Sequence, residues 1–154
     1  MKGPITKTYK ISRIFNDPSD FVFGWCTDYR EDDYKMTKST ARRQFLDRTK
    51  DRVIWIVRYK EGKRKVEGVR AVWLKPPSSW HFDTCGDGRE VGDYTLSKLG
   101  RGRTRLDMVF QVTYDDPGAV ESSAEWTKRA NHNWSVYAKF LEKDYRESKQ
   151  KISS

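Results

Sequence analysis

The sequence predicts an α+β domain in which a curved antiparallel sheet of six to seven strands wraps around one long C-terminal helix. Three observations predict it. From Lys38 to Tyr114 the chain reads as strand-like segments separated by Gly, Pro and Asp turns. From Val120 to Lys149, residues Trp126, Ala130, Trp134, Tyr137, Leu141 and Tyr145 recur at three- and four-residue steps, one face of a helix that Phe140 widens. A broad aromatic stripe needs an apolar surface to cover, and a curved sheet supplies one.

Each element has its own signal. Gly3 to Phe15 alternates Ile5, Tyr9 and Ile11 with polar partners, a strand with one buried face. Asn16, Asp17 and Pro18 form a helix start, with an Asn or Asp cap, for a short helix carrying Phe21, Val22 and Trp25 to about Thr27. Asp28 to Asp33 is polar, with room for one more helical turn. Thr40–Leu46, Arg52–Tyr59 and Lys65–Leu74 follow as strands, the second being β-branched and aromatic through its middle. Pro76 and Pro77 end the third, because neither can donate to a ladder. Trp80–Thr84, Val91–Leu99 and Thr104–Tyr114 complete the sheet, joined by turns at Gly86-Asp87-Gly88 and Gly100-Arg101-Gly102. In the last strand Leu106, Met108, Phe110, Val112 and Tyr114 share one face. The domain is assigned to residues 1–150, with residues 151–154 as a frayed tail.

Composition excludes several classes. The chain of 154 residues has mean hydropathy −0.92 and 34% charged residues, yet its six Trp, eight Tyr and seven Phe are too many for a disordered chain. No apolar run approaches the ~20 residues of a membrane span, and the N-terminus lacks a signal-peptide core. A cytoplasmic protein without integral membrane association is expected. The net charge of +9 comes from 31 basic and 22 acidic residues. Basic side chains gather at Lys60, Lys63, Arg64 and Lys65 and at Arg101 and Arg103, but acids interleave them nearly everywhere. That pattern argues against nucleic acid as the partner and for a mixed solvated surface. Cys26 and Cys85 form no CxxC pair, which suits a reducing compartment; a bridge between them is left open by the sequence.

Chemistry has little support. His81 and Cys85 stand about 13 Å apart along a strand, too far to share an ion, so no metal and no cofactor is expected. The two Gly-x-Gly segments lie between strands rather than before a helix, and are turns. No Gly-x-Ser-x-Gly elbow is present. His132 falls off the apolar stripe.

Several segments together resemble the START-related superfamily, called SRPBCC or helix-grip, of the polyketide cyclase and lipid-transport type. These are Asp20-Phe21-Val22, Arg42 and Arg43 in a strand, Leu74-Lys75-Pro76-Pro77, Gly92-Asp93-Tyr94 and Gly102-Arg103-Thr104-Arg105-Leu106. The resemblance covers nearly the whole chain in element order. It implies an apolar cavity between sheet and helix that holds a hydrophobic molecule. Lining residues would be Trp55, Tyr59, Trp73, Phe82, Tyr94, Met108 and Phe110 from strands, with Trp134, Tyr137 and Leu141 from the helix. The leading expectation is a protein that binds a hydrophobic small molecule or lipid there, with enzymatic activity left open. The alternatives are a cyclase- or dehydratase-like enzyme using Tyr94 or an arginine in the same cavity, and polyanion binding through the basic turns. Ligand identity and oligomeric state are not legible.

Overall fold

Alternation along each strand decides what the sheet buries. In the computed structural model, which describes residues 3–61, 64–86 and 88–153, the strands are β1 (Ile5–Phe15), β2 (Arg42–Arg48), β3 (Arg52–Glu61) and β4 (Arg64–Lys75), then β5 (Ser79–Gly86), β6 (Arg89–Gly100) and β7 (Arg103–Tyr114). Helices α1 (Ser19–Thr27) and α2 (Tyr34–Thr37) connect β1 to β2, and α3 (Ser123–Ser153) follows β7. All pairings are antiparallel, in the order β1-β7-β6-β5-β4-β3-β2. Strands β2 to β7 form a meander, and β1 pairs beside the last of them.

The register sets the core. Val53, Val72, Phe82, Gly92, Phe110 and Tyr9 align across six strands, and all are buried. Gly92 is required there: a Cβ would collide with the Phe82 and Phe110 rings, which meet across β6 at 5.6 Å between centroids. Helix α3 seats Trp126 and Leu141 on this surface, with Trp126 stacked on Tyr9 at 4.8 Å. Helix α1 adds the buried Val22 and sets Phe21 against Tyr145 and Phe23 against Trp80.

The structure departs from expectation at several points. The α1 cap is Pro18, without a side-chain cap bond. Asp17 instead turns inward, its carbonyl accepting a 2.7 Å bond from the Thr104 hydroxyl and its carboxylate Oδ2 buried without a hydrogen bond. Burial pushes its pKa up. The extra helical turn lies at Tyr34–Thr37, just beyond the segment where it was expected. Helix α3 starts at Ser123, because Pro117–Ala119 forms a 3-10 turn and Ser122 and Glu125 cap the helix reciprocally. It continues through Ser153. Phe140, 38% exposed, leaves the stripe for solvent. Gly100, Arg101 and Gly102 turn with positive φ, as the glycines suggest, whereas Gly62, Lys63 and Asp87 lie outside the described residues.

Candidate ligand cavity

Two residues along each strand from the apolar row, roughly 6.6 Å away, the inner face changes character. Phe45, Trp55, Arg70, Thr84, Glu90, Val112 and Lys7 align across all seven strands. Arg70 stands mid-row. Its Nε donates to Thr84 Oγ1 at 2.7 Å, its guanidinium lies 4.1 Å over the Phe82 ring, and Glu90 is 3.8 Å away.

Helix α3 rests on β1 and reaches α2, and it leaves the β2–β4 side of the sheet uncovered. The space there is a cavity of about 670 Å³. Its lining is mixed: Arg30, Arg43, Arg70 and Arg129 stand with Glu31, Asp33, Glu90 and Glu121, among Trp55, Tyr59, Tyr114 and Tyr137. A smaller inner chamber of about 140 Å³ shares Arg30, Asp33, Arg43, Arg70 and Tyr137 with it. Trp25, Tyr29, Trp80, Tyr94 and Trp134 supply the rest of its aromatic wall, with Cys26 and Met36.

Arginines from the edge strand hold the wall. Arg48 donates to the carbonyls of Asp28 (2.9 Å) and Tyr29, and Arg43 to that of Arg30 (2.9 Å) and to the Asp33 carboxylate. Thus three successive carbonyls of the α1–α2 loop are fixed by side chains of β2. Between them Tyr29 adopts φ +30, a conformation L-residues seldom take, with its ring 4.9 Å from Trp55. Burial pushes the Tyr29, Tyr94 and Tyr137 hydroxyls and the Cys26 thiol up, so all four groups are neutral near pH 7. Burial also raises Asp28 to about 6, against the opposing pull of Arg30. At the far end Lys7 Nζ and the Tyr9 hydroxyl donate to the Glu121 carbonyl at 2.9 and 2.8 Å, and Arg129 takes the Glu121 carboxylate at 2.6 Å. These bonds pin the approach to α3 onto β1.

Five expected lining residues, Trp55, Tyr59, Tyr94, Trp134 and Tyr137, border these chambers. Phe82, Met108, Phe110 and Leu141 lie in the core beneath, fully packed, and reach neither chamber. Trp73 is on the outer face, 43% exposed and 5.8 Å from His81, because it has the opposite parity to the buried Val72. The sequence suggests an arginine in the cavity but does not single out the charged lining from Arg30, Asp33, Arg43, Arg70 and Glu90. Its signal was parity, since Arg70 falls in phase with Val66 and Val72.

His81 pairs with Asp93 at 2.7 Å on the outer face, and His132 is exposed. Both cysteines are free thiols, Cys26 facing the inner chamber and Cys85 exposed. Strand order puts Lys60 and Lys65 at the opposite end of the sheet from Arg101 and Arg103, so these described basic residues form no single patch. Among the described residues no group of three or more His, Cys, Asp or Glu is placed to hold a metal ion, and no helix is long and apolar enough to cross a membrane.

Solved structures share this architecture. Zhui aromatase/cyclase from Streptomyces sp. R1128 is similar at TM-score 0.71 and 12% identity, covering 94% of this chain and 98% of that one. Norcoclaurine synthase from Thalictrum flavum, solved with dopamine and hydroxybenzaldehyde, gives 0.68 and 7%, covering 92% and 89%. Ara h 8.0201 gives 0.68 and 7%, covering 88% and 97%. No family model matches the sequence, and no curated protein matches it. The chain has the helix-grip fold.

Proposed function

We propose that the protein binds a partly hydrophobic small molecule or lipid between the sheet and α3, in the cytoplasm. The observation that carries this reading is the 670 Å³ space under α3, continuous in its lining with an aromatic chamber. Pockets of this size that mix apolar walls with a few placed polar groups are the usual form of a small-molecule site. Affinity would come from apolar burial, at about 25 cal/mol per Å². Orientation would come from the Arg70–Thr84–Glu90 row.

The test is titration with the neutral fluorescent probe N-phenyl-1-naphthylamine. Saturable binding is expected, little changed by salt because no ion pair forms. Val57→Trp, which fills the main chamber from its β3 wall, abolishes it. Val69→Trp, on the outer face of β4, leaves it intact. Absence of binding, or equal binding by both folded variants, overturns the reading.

A further inference from the structure

We propose that the inner chamber accepts a single aromatic ring, and that Arg70 at its mouth holds a carboxylate carried on that ring. This deepens the reading above and rests on it. Size argues for one ring. The chamber is about 140 Å³, and a dry protein cavity of about 150 Å³ is known to admit benzene. Its walls are the faces and edges of Trp25, Tyr29, Trp80, Tyr94, Trp134 and Tyr137, which suit a flat ring by offset or edge-on stacking.

Charge argues for the anion. The chamber borders on three arginines, Arg30, Arg43 and Arg70, and on two aspartates, Asp28 and Asp33, an excess of one positive charge. Arg43 is bonded to Asp33, and Arg30 sits 3.5 Å from Asp28 and 3.6 Å from Asp33. The remaining arginine, Arg70, is paired only loosely, with Glu90 of the main chamber at 3.8 Å. That distance is beyond hydrogen-bond reach, so the pair leaves the terminal nitrogens able to take a ligand carboxylate in a closer bond.

Arg70 is also already oriented. Thr84 fixes its Nε and the Phe82 ring supports its plane, so the terminal nitrogens keep the fork that matches a carboxylate. The side chain is 28% exposed and bordered by aromatic rings, where an ion pair gains more than in open water. A neutral ligand would not engage this fork by a charge-assisted bond to an anion.

Benzoate and benzyl alcohol, equal in ring but one anionic and the other neutral, separate the possibilities in an NMR titration. Benzoate should bind about tenfold tighter or more, the gain of a charge-assisted bond. The indole N–H signals of Trp25, Trp80 and Trp134 should move while that of Trp73 stays still. Arg70→Met should erase the preference, bringing benzoate to within about twofold of benzyl alcohol in the same variant. Equal affinities in the wild type overturn the proposal, whether or not that variant folds. So does a preference that survives Arg70→Met, or shifts centred on Trp73. If N-phenyl-1-naphthylamine still binds in those cases, the broader reading stands. If no probe binds, the broader reading fails first.

Discussion

The two halves of the sheet use the same kinds of residue to opposite ends. Over β1, β7 and β6, aromatic rings meet α3 directly: Tyr9 and Phe110 close on Trp126 at 4.8 and 5.2 Å, and Leu141 is wholly buried. Over β2 to β4 the helix has moved away, and Trp55 and Tyr59 line a space that it does not fill. An aromatic side chain is therefore neither core nor site by its identity. The distance to the covering helix decides. Charge follows the same division, since arginine and glutamate reach the inner face one register step from an unbroken apolar row, where room and polar neighbours exist to receive them.

This contrast can be broken at measurable points. The largest effect belongs to the sealed half, where Phe82→Ala should cost about 3–5 kcal/mol of unfolding free energy, measured by denaturant titration, because two packed rings and the Arg70 guanidinium surround it. A cost below ~1 kcal/mol would mean that this half has slack of its own. Trp134→Ala comes next. Trp134 touches Tyr94, Phe15 and Tyr137 but borders the inner chamber on another side, so a smaller cost of about 1–3 kcal/mol should accompany altered probe affinity. A larger loss with unchanged binding would return Trp134 to the core.

The smallest effect is pH-dependent and sharpens the picture of the loop wall. Asp28 has its carboxyl raised from 3.8 to about 6, so the folded state holds this proton to higher pH than the unfolded chain does. The stability from that proton is complete below about pH 4 and is lost as pH rises through about 6. Asp28→Asn should therefore match wild type near pH 4 and exceed its melting temperature by a small margin at pH 7. A melting comparison across this range that shows no divergence would remove Asp28 from the buried wall.

Much of this was legible in the sequence because alternation and helical spacing are local signals. The parity of Tyr9, Ile11 and Phe15, or of Leu106, Met108 and Phe110, needs no knowledge of partners. Failure came where the signal was silent. Ala71, Val72, Trp73 and Leu74 are all apolar, so the run carries no parity, and the large ring of Trp73 drew the assignment that belonged to Val72. The cavity's charges were hidden for another reason. Arg30, Asp33, Arg43 and Arg70 come from two loop positions and two strands, and only the strand order brings them together. The start of α3 was legible and was missed, since Ser122-Ser123-Ala124-Glu125 is a capping box in plain view.

The pairing of β1 with β7 has a consequence during synthesis. Thr6 and Thr113, hydroxyl to hydroxyl at 3.0 Å, are 107 positions apart. Strands β2 to β7 can zip hairpin by hairpin as they emerge, each closing a short loop. Strand β1 cannot. At roughly 5–20 residues per second, its inner face waits on the order of 5–20 s for the only neighbour it has in the sheet. For that interval Tyr9, Ile11 and Phe15 are a hydrophobic edge without a home, and α1 is the nearest cover the growing chain can offer them. The fold's slowest step is thus built into its topology, and chaperone demand should track the delay before β7 appears rather than the stability of the finished protein.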